Sequence, residues 1–478
     1  MPRFETQVQL IKHKVLKEVS KLAYKDKLDN NLLDIPETII PGPDPITRCC
    51  IYKERAIIKD RVKLALGGNK KKDNIIEVID TACDECPIDR FVVTEACRGC
   101  LAHKCSKACP VDAIYYVGNK AFIDNNKCIE CGKCKKACPF NAISDVMRPC
   151  RTACPVNAIS IDKDKKAIID DSKCIQCGAC INQCPFGALM DKSFIVDVIK
   201  ELKDKNQKIY AMIAPAIASQ FDNIELKKVI SGIKKLGFDD VFEVALGADI
   251  VTKHETKEFS DFIKNKNFMT SSCCPAFVSY IEKEYPELVD NISNTVSPMI
   301  ATSELIKKEY KNSKVVFIGP CTAKKMEIKR YDNTDYVLTF EELYAMFDAL
   351  DINLEELEDS SINNASYFGR VFARTGGLTE SITHIIKKQD IDINFDPIKC
   401  DGISDCKKAL SMGKLNKLKG NFIEGMACDG GCISGAASLN HTPKSKKKID
   451  SYGKSALKKD ITKNINKYNL KNLNLERR

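Results

Sequence analysis

The chain has 478 residues, of which 44% are hydrophobic and 29% charged, and its formal net charge is +10. This length predicts about three domains of a globular protein. No apolar run approaches the roughly 18 residues of a membrane-spanning helix, and the N-terminus lacks the pattern of a secretory signal. The basic runs have neither aromatic interleaving nor a reading motif for nucleic acid. We therefore expect a cytoplasmic protein with no membrane or nucleic-acid partner.

Residues 1–82 are expected to form a helical N-terminal segment. Apolar residues recur at helical spacing over residues 4–24, and a proline-rich stretch at residues 40–45 divides the segment in two. Cys49 and Cys50 follow that stretch, and the sequence assigns them no role.

Cysteines dominate residues 83–184, where one spacing occurs twice. Each copy has a Cys-x3-Cys-Pro step and then a Cys-x2-Cys-x2-Cys-x3-Cys-Pro run. This is the bacterial ferredoxin spacing, in which three thiolates hold one [4Fe-4S] cube and the Cys-Pro cysteine reaches a different cube. Structural zinc or disulfides are the alternative, but zinc sites use isolated Cys-x2-Cys pairs. We predict two tandem ferredoxin-like units of the βαββαβ type, over residues 83–145 and 146–200.

The cysteines can be sorted into sets of four, one for each cube. The first unit supplies two complete sets, which are Cys97, Cys100, Cys105 and Cys138, and Cys128, Cys131, Cys134 and Cys109. The second unit supplies one complete set and a remainder, which are Cys174, Cys177, Cys180 and Cys154, and then Cys150 and Cys184. Ser144 and Met147 stand where the two missing thiols would fall. Cys83 and Cys86 could complete a fourth accessory cluster, which would attach their segment to the second unit. The alternative is three clusters and a few structural thiols.

Beyond a linking helix at residues 194–205, short apolar strands alternate with charged helices. Strands are predicted at residues 209–217, 314–320, 335–340 and 421–426, and helices at 225–237 and 340–350. This alternation predicts an α/β domain over residues 205–440, with functional loops at the strand ends. Residues 441–478 form a lysine-rich tail, which is expected either to pack as a helix on the domain or to fray.

Three motifs without ferredoxin spacing follow the predicted strands. They are TSSCCP at residues 270–275, GPCTAKKME at residues 319–327 and EGMACDGGC at residues 424–432. Thiols from separate loops can converge at one sheet edge, and the glycines of the third motif allow backbone to approach an inorganic centre. Together and in this order, the motifs resemble the signatures of the [FeFe]-hydrogenase catalytic domain. The pattern is closest to the divergent group often called B.

The resemblance implies a two-lobed α/β domain that holds an H-cluster. This cofactor is a [4Fe-4S] cube joined to a two-iron subsite with carbonyl, cyanide and azadithiolate ligands. The implied cube ligands are Cys274, Cys321, Cys428 and Cys432, and Cys432 would also bridge to the subsite. Lys324 would donate to a cyanide and Glu327 would hold Lys324 in place, although a surface i,i+3 ion pair is the alternative. Cys273 would relay protons as a thiol that titrates near neutral pH.

Further residues are assigned by the same resemblance. The expected contacts of the subsite are Met426, Ser297, Ala214, Pro215, Ala216, Gly319 and Pro320. Glu255, Glu258 and Ser293 match the family's proton path, with a solvated acidic helix turn as the alternative. The chain has Gly319 in place of a common methionine, Phe277 in place of tryptophan and Ala436-Ala437 in place of glycines. The missing methionine is expected to leave one side of the site less packed.

The expected function is a ferredoxin-dependent hydrogenase that interconverts two protons and two electrons with dihydrogen. A slow hydrogen or redox sensor, and a hydrogenase-like assembly protein without the two-iron subsite, are the alternatives. The dispersed lysines are either a solvated surface or a docking face for ferredoxin or a similar acidic carrier. Hydrogenase maturation proteins are implied as further partners. Cys400 and Cys406 are expected to be buried apolar residues, not ligands.

Overall fold

The structure, a computed structural model, describes residues 4–48 and 50–477, so Cys49 lies outside the described residues. The N-terminal segment is helical and ends in a short strand. Its elements are α1 (Gln7–Tyr24), α2 (Leu28–Asn31), α3 (Ile35–Ile39), α4 (Ile51–Ala65) and β1 (Ile76–Val78). The proline-rich stretch separates α3 from α4, as predicted. Val15, Leu16 and Val19 give α1 a fully buried apolar face.

The first ferredoxin-like unit has the expected βαββαβ order. Its elements are β2 (Phe91–Val93), α5 (Lys104–Lys107), β3 (Ile114–Val117), β4 (Lys120–Ile123), α6 (Lys133–Ala137) and β5 (Ile143–Asp145). Strand β2 pairs antiparallel with β5, and β3 pairs antiparallel with β4. The outer pair therefore brings the two ends of this unit together.

The second unit has the same pairing but is discontinuous in sequence. Its later elements are α7 (Pro149–Ala153), β6 (Ile159–Ile161), β7 (Ala167–Ile169), α8 (Ala179–Gln183) and β8 (Leu189–Asp191). Strands β6 and β7 pair, whereas the antiparallel partner of β8 is β1, with Glu77 opposite Met190. The place that β2 has in the first unit is thus taken by β1. The first unit is inserted within the second, an arrangement that the cysteine spacing did not predict.

Helix α9 (Ile195–Lys203) leads into two parallel sheets. The elements that follow are β9 (Ile209–Ile213), α10 (Leu226–Lys235), β10 (Asp240–Glu243), α11 (Val244–Phe262), β11 (Met269–Thr270), α12 (Pro275–Glu284), α13 (Pro298–Glu309), β12 (Lys314–Gly319), α14 (Lys324–Glu327), β13 (Tyr336–Thr339), α15 (Phe340–Ala349), α16 (Tyr367–Val371), α17 (Gly377–Lys388), β14 (Pro397–Cys400), α18 (Gly402–Lys414) and β15 (Phe422–Gly425). The sheet orders are β10-β9-β12-β13 and β11-β15-β14. All pairs within them are parallel, so each sheet presents its carboxyl ends at one edge.

The C-terminal tail packs on the two-sheet region instead of fraying. It forms α19 (Ser445–Lys454) and α20 (Ile461–Ile465), with Ile449, Ile461 and Ile465 fully buried. Asn464 of α20 donates to a carboxylate oxygen of Asp249 on α11 at 2.9 Å.

Within the described residues, no helix has both the length and the apolar character needed to cross a bilayer.

A buried ion network joins the N-terminal segment, the second ferredoxin-like unit and the two-sheet region. Lys12 of α1 pairs with Asp191 of β8 at 2.7 Å and with Glu341 of α15 at 2.6 Å. Lys325 of α14 pairs with the same Asp191 at 2.8 Å and with Glu342 at 2.9 Å. Because each buried lysine has two carboxylate partners, the desolvation cost of the charges is offset within the network. The network therefore links the three regions to one another through buried ion pairs.

Candidate functional site

The three cysteine motifs lie at the carboxyl ends of parallel strands. Cys321 follows β12 of the first sheet, Cys273 and Cys274 follow β11 of the second sheet, and Cys428 and Cys432 follow β15. Carboxyl ends of parallel strands form the edge where α/β domains bind ligands. The loops that carry these thiols therefore meet between the two sheets.

Four of these thiols are close enough to affect one another's ionisation. Burial and then Cys274 raise the pKa of Cys321 to about 11, and burial followed by Cys274 and Cys321 raises the pKa of Cys432 to about 12. Burial and then Cys321 raise the pKa of Cys428 as well. Thiolates this close repel each other unless a cationic centre holds them. The donor set fits a [4Fe-4S] cube, which takes four cysteine ligands.

A four-iron cube and a single metal ion differ in how closely their thiolate ligands must converge. Zinc draws its thiolates to about 2.3 Å from one centre. No three or more His, Cys, Asp or Glu side chains in the described part of the chain are arranged to hold one ion. A four-iron cube binds each thiolate at a different corner, so its ligands need not converge so tightly.

Lys324 is buried beside the four thiols. Its ammonium donates to Glu327 Oε2 at 2.6 Å and to the carbonyl oxygen of Cys273 at 3.4 Å. Lys324 and Glu327 are each only 8% exposed, so the alternative of a surface ion pair is wrong. Burial alone would lower the pKa of Lys324, but Glu327 outweighs it and the pKa is raised. The ammonium stays charged and has a third proton available for an anionic ligand.

Cys273 and Met426 share one apolar cluster, and Ser297 lines a cavity with Ser272 and Glu327. Cys273 is 8% exposed, and burial followed by the nearby Glu255 raises the pKa of its thiol well above the usual range. This direction is opposite to the expected titration of the thiol near neutral pH. Met426 is 1% exposed, and the buried hydroxyl of Ser297 has no hydrogen-bond partner among the described residues. An unsatisfied hydroxyl is costly in a dry core, so it fits a site that takes a polar group.

The space beside Gly319 is filled by Phe317. A Cβ atom at Gly319 would lie 2.4 Å from the Phe317 ring and 3.2 Å from the Cβ of Ala214. Residues two apart on a strand share one face of the sheet, which brings this ring over the glycine. We expected the absence of a methionine at position 319 to leave this side of the site less packed. The Phe317 ring instead fills the space beside Gly319. Ala214, Pro215 and Ala216 follow the neighbouring strand β9, and the Pro320 carbonyl accepts from Ala437 N at 2.9 Å.

The acidic residues of α11 reach from the cysteine loops toward the surface. Glu255 is fully buried, and neither of its carboxylate oxygens has a hydrogen-bond partner in the described structure. Burial and then the charge of Glu258 raise the pKa of Glu255 well above its usual range. Half-buried Glu258 accepts from the hydroxyls of Ser293 and Thr295, both at 2.7 Å. The alternative of a solvated acidic helix turn does not apply to Glu255, because this side chain is fully buried.

Backbone amides donate to the ferredoxin-type cysteines in a repeated pattern. In each Cys-Pro-x-x-Ala sequence the alanine N–H donates to the sulfur four residues earlier, at 3.2–3.4 Å. The acceptors are Cys109, Cys138, Cys154 and Cys184. Such N–H···S bonds stabilise the negative charge of cluster ligands. The repeated alanine was visible in the sequence, but its role was not inferred.

Two of the predicted sets line separate cavities. Cys109, Cys128, Cys131 and Cys134 line one cavity, and Cys154, Cys174, Cys177 and Cys180 line another. Cys97, Cys105 and Cys138 share an apolar cluster with Phe91 and Ile114. Cys100 and Cys105 both lie near Tyr116, whose hydroxyl is 3.3 Å from the Cys105 sulfur.

Cys83, Cys86, Cys150 and Cys184 are also brought together, although they are far apart in sequence. Cys83, Cys150 and Cys184 are buried. Burial, followed by Cys184, Cys83 and Cys86, raises the pKa of Cys150 to about 11. Cys50 is described as a half-buried free thiol, and no role follows from its surroundings.

A direct contact joins the second unit to the Cys321 loop. The hydroxyl of Thr322 donates to the carbonyl oxygen of Gln176 at 2.8 Å. Gly178 has a φ of +79°, and a Cβ atom there would lie 2.5 Å from Ala436 and 2.8 Å from the Thr322 hydroxyl. Glycine is therefore required by both the backbone and the close approach. Sequence reasoning missed this contact, since glycine in Cys-Gly-x-Cys occurs in both units.

Cys400 and Cys406 are buried, as expected. They are 1% and 0% exposed, and the Cys406 sulfur contacts the carbonyl oxygen of Met426 at 3.6 Å. Both are free thiols on β14 and α18, on the side of the second sheet that packs against α12.

Comparison with protein families assigns three segments of the chain. Residues 207–436 match the C-terminal domain of the iron-only hydrogenase large subunit. Residues 148–188 match a 4Fe-4S dicluster domain, and residues 121–144 match a 4Fe-4S binding domain.

Individual relatives come from two kinds of protein. Iron hydrogenase 1 of Clostridium pasteurianum is 27% identical over 91% of this chain and 86% of that protein. Cytosolic iron-sulfur assembly component 3 of Rattus norvegicus is 23% identical over 45% of this chain and 57% of that protein. A solved [FeFe]-hydrogenase structure from Chlamydomonas reinhardtii is 20% identical, covers 59% of this chain and 95% of that chain, and has a TM-score of 0.46.

Proposed function

Because this chain combines the C-terminal domain of an iron-only hydrogenase large subunit with 4Fe-4S ferredoxin domains, we propose that it interconverts protons and electrons with dihydrogen. Two protons and two electrons form one dihydrogen molecule, and the reverse reaction releases them. The observation that carries the proposal is a set of four thiols from three loops, with a buried Lys324–Glu327 pair beside them.

In this proposal Cys274, Cys321, Cys428 and Cys432 would hold the cube of an H-cluster, and Cys432 would also contact its two-iron subsite. The subsite, when bound, supplies the open metal position at which hydrogen is formed or split. Lys324 would donate to a cyanide ligand, while Glu327 holds the ammonium in place. Ser297, Met426, Ala214, Pro215, Ala216, Gly319 and Pro320 enclose the subsite and exclude water.

Protons reach the site through side chains of this chain. Cys273 is buried and lies within electrostatic reach of Glu255. Glu255 is in turn near Glu258, which accepts from Ser293. Since Glu258 is half-buried, it marks the surface end of the proposed path, and Cys273 marks the inner end.

Electrons reach the site through the ferredoxin-like units. The twelve cysteines of the three complete sets hold three accessory [4Fe-4S] clusters. The Thr322–Gln176 contact supports direct transfer from the Cys154, Cys174, Cys177 and Cys180 cluster to the Cys321 loop. Ferredoxin or a similar acidic carrier supplies the electrons. The free thiols fit a reducing compartment such as the cytoplasm.

Replacing Cys273 with alanine tests the proton relay. The Cys273→Ala variant should keep the iron content and infrared spectrum of the parent but lose nearly all hydrogen evolution, because one step of the proton path is removed. Cys406→Ala is the matched control, since Cys406 is also a buried free thiol. Full turnover by the Cys273 variant would contradict the assignment.

Infrared spectroscopy tests the two-iron subsite itself. Protein produced together with hydrogenase maturation proteins should show bands of iron-bound carbonyl and cyanide and should evolve hydrogen from a reduced carrier. Bands without appreciable turnover would instead identify a slow hydrogen sensor.

A second candidate function is iron-sulfur assembly, favoured by the similarity to the Rattus norvegicus assembly component. Such a protein would have no need for a two-iron subsite. The buried Lys324–Glu327 pair and the unpartnered Ser297 hydroxyl support the hydrogenase instead. Matured protein that lacks the infrared bands but transfers [4Fe-4S] clusters to an acceptor would favour assembly.

A further inference from the structure

The discontinuous second unit places Cys83 and Cys86 where the first unit has two cluster ligands. In the first unit β2 is followed by Cys97-x2-Cys100, and Cys105 then lies in α5. In the second unit β1 is followed by Cys83-x2-Cys86. The chain then forms the inserted first unit and returns with Cys150 in α7.

The fourth cysteine, Cys184, likewise has a counterpart in the first unit, which is Cys138. Cys138 directly follows α6 in the first unit, and Cys184 directly follows α8 in the second. Each accepts from the amide of the alanine four residues later, Ala142 or Ala188. All four members of the second set therefore have counterparts in the βαββαβ fold of the first unit.

Counting ligands leads to the same set. The dicluster match covers residues 148–188, a range with only six cysteines. Two cubes need four cysteines each, so two ligands must come from elsewhere in the chain. Cys83 and Cys86 are the thiols that approach Cys150 and Cys184.

Two buried arginines without a carboxylate partner flank this set. Arg61 is 2% exposed and donates to the Gly187 carbonyl at 2.6 Å. Arg148 is 3% exposed, donates to the carbonyls of Pro87 and Lys165, and lies 3.7 Å from the Cys83 sulfur. No carboxylate in the described residues lies within ion-pair distance of either guanidinium.

The other buried arginines of the described chain are paired. Arg370 pairs with Glu243 at 2.7 Å, and Arg374 pairs with Glu380 at 2.8 Å and with Asp450 at 2.7 Å. A buried guanidinium cannot lose its proton and is costly without a counter-ion. The groups near Arg61 and Arg148 that can become negative are the cysteines, since Cys184 lies close to Arg61 and Cys83 contacts Arg148.

We propose that Cys83, Cys86, Cys150 and Cys184 hold a fourth accessory [4Fe-4S] cluster, with Arg61 and Arg148 as its counter-ions. A cube with four thiolate ligands has a net negative charge and gains a further negative charge when one electron reduces it. Burial favours the less charged, oxidised form, and the two guanidiniums act in the opposite direction. They therefore raise the reduction potential of this cluster. The electron-transfer role rests on the proposed function, but the metal site does not.

The cluster lies on the side of the second unit that contacts the first unit. Arg151, next to Cys150, pairs with Glu130 of the first unit at 3.1 Å, and Glu130 directly precedes Cys131. On the other side, Cys150 lies near Cys180 of the neighbouring set. The fourth cluster therefore bridges the inserted unit and the cluster nearest the catalytic loops.

Iron quantification on full-length protein without the two-iron subsite tests the ligands independently of hydrogen turnover. Replacing both Cys83 and Cys86 with alanine should remove about four iron atoms per chain and one reduced-cluster signal in electron paramagnetic resonance. The matched control replaces Cys400 and Cys406 with alanine and should lose neither. Unchanged iron content, or loss of zinc in place of iron, would overturn the site.

Redox titration tests the counter-ions. In Arg61→Gln and Arg148→Gln, iron content should be retained, and the signal missing from the double-cysteine variant should shift to a more negative midpoint potential. Arg55→Gln is the matched control, because Arg55 lies on the same helix α4 but pairs with Glu37 at 3.0 Å. If the midpoint does not move in either variant, the counter-ion role is wrong.

Discussion

Phe317 and Gly319 show how one residue compensates for another at the sheet edge. The ring of Phe317 occupies the space that a side chain at position 319 would need, and Phe317 is only 3% exposed. A chain with methionine at this position would need a smaller residue or a different rotamer at position 317. The two positions must therefore be considered as a pair.

Gly319→Ala should lower the free energy of unfolding by about 1–3 kcal/mol, because the added methyl group overlaps the Phe317 ring. Combining it with Phe317→Leu should cost less than the sum of the two single changes, since the smaller side chain leaves room. Urea unfolding of the parent, both single variants and the double variant measures this coupling. Additive effects would show that the ring does not limit position 319.

Helix α11 connects the proton-path residues with the C-terminal tail. Asp249 of this helix is fully buried and accepts from Ser366 N at 2.8 Å and from Asn464 Nδ2 at 2.9 Å. Burial raises the pKa of Asp249 to about 7, although these hydrogen bonds act in the opposite direction. The carboxyl group therefore binds its proton more tightly in the folded protein than in the unfolded chain.

This shift predicts a pH dependence of stability. With an unfolded pKa of about 3.9, the contribution of Asp249 is fully present below about pH 4 and is lost as the pH rises through about 7. The fall in unfolding midpoint between these pH values should be smaller in Asp249→Asn than in the parent. Asp261→Asn is the control, because Asp261 is exposed on the same helix. Equal slopes in parent and Asp249→Asn would contradict the prediction.

Whether an element could be predicted depended on how much of the evidence for it lies within its own residues. Strands β9 and β12 were predicted because they are almost entirely buried and have unbroken apolar runs. Strands β10 and β14 were missed because both are short and lack an unbroken apolar run. Buried and half-buried residues alternate along β10, and β14 is partly exposed. Strand β1 has three residues and pairs with a strand beyond the whole inserted unit, so no local pattern could reveal its partner.

The same distinction applies to the site. Cysteine ligands follow fixed spacings, so the sequence predicts Cys128, Cys131 and Cys134 as ligands, and the three thiols line one cavity. Arg61 and Arg148 have no such spacing, and their role emerges only from burial and the absence of a carboxylate among the described residues. The raised pKa of Cys273 also results first from burial, which the motif does not encode.

The exposed surface of the first unit combines lysines with apolar side chains. Lys133, Lys135 and Lys136 surround buried Cys134 on α6. Ile129 and Phe140 nearby are 59% and 51% exposed. Complementary charge accelerates encounter with an acidic protein, and exposed apolar groups allow close contact. This face fits the proposed entry of electrons from an acidic carrier.

Changing Lys133, Lys135 and Lys136 to glutamate should slow reduction by an acidic ferredoxin by about tenfold or more at low ionic strength. It should also weaken the dependence of the rate on salt. Stopped-flow reduction at several salt concentrations measures both effects. The same change at Lys444, Lys446 and Lys447, which are exposed on the tail, is the control. If both triple variants slow equally, net charge and not this face determines the rate.

The nested arrangement of the units has a consequence for how such chains can be rebuilt. The amide of Val146 donates to the carbonyl oxygen of Arg90 at 2.7 Å, so the polypeptide enters and leaves the inner unit at adjacent points. Excising the inner unit and closing the gap with a short turn would leave Cys83, Cys86 and Cys150 on one uninterrupted host, and would shorten the proposed chain of clusters by two.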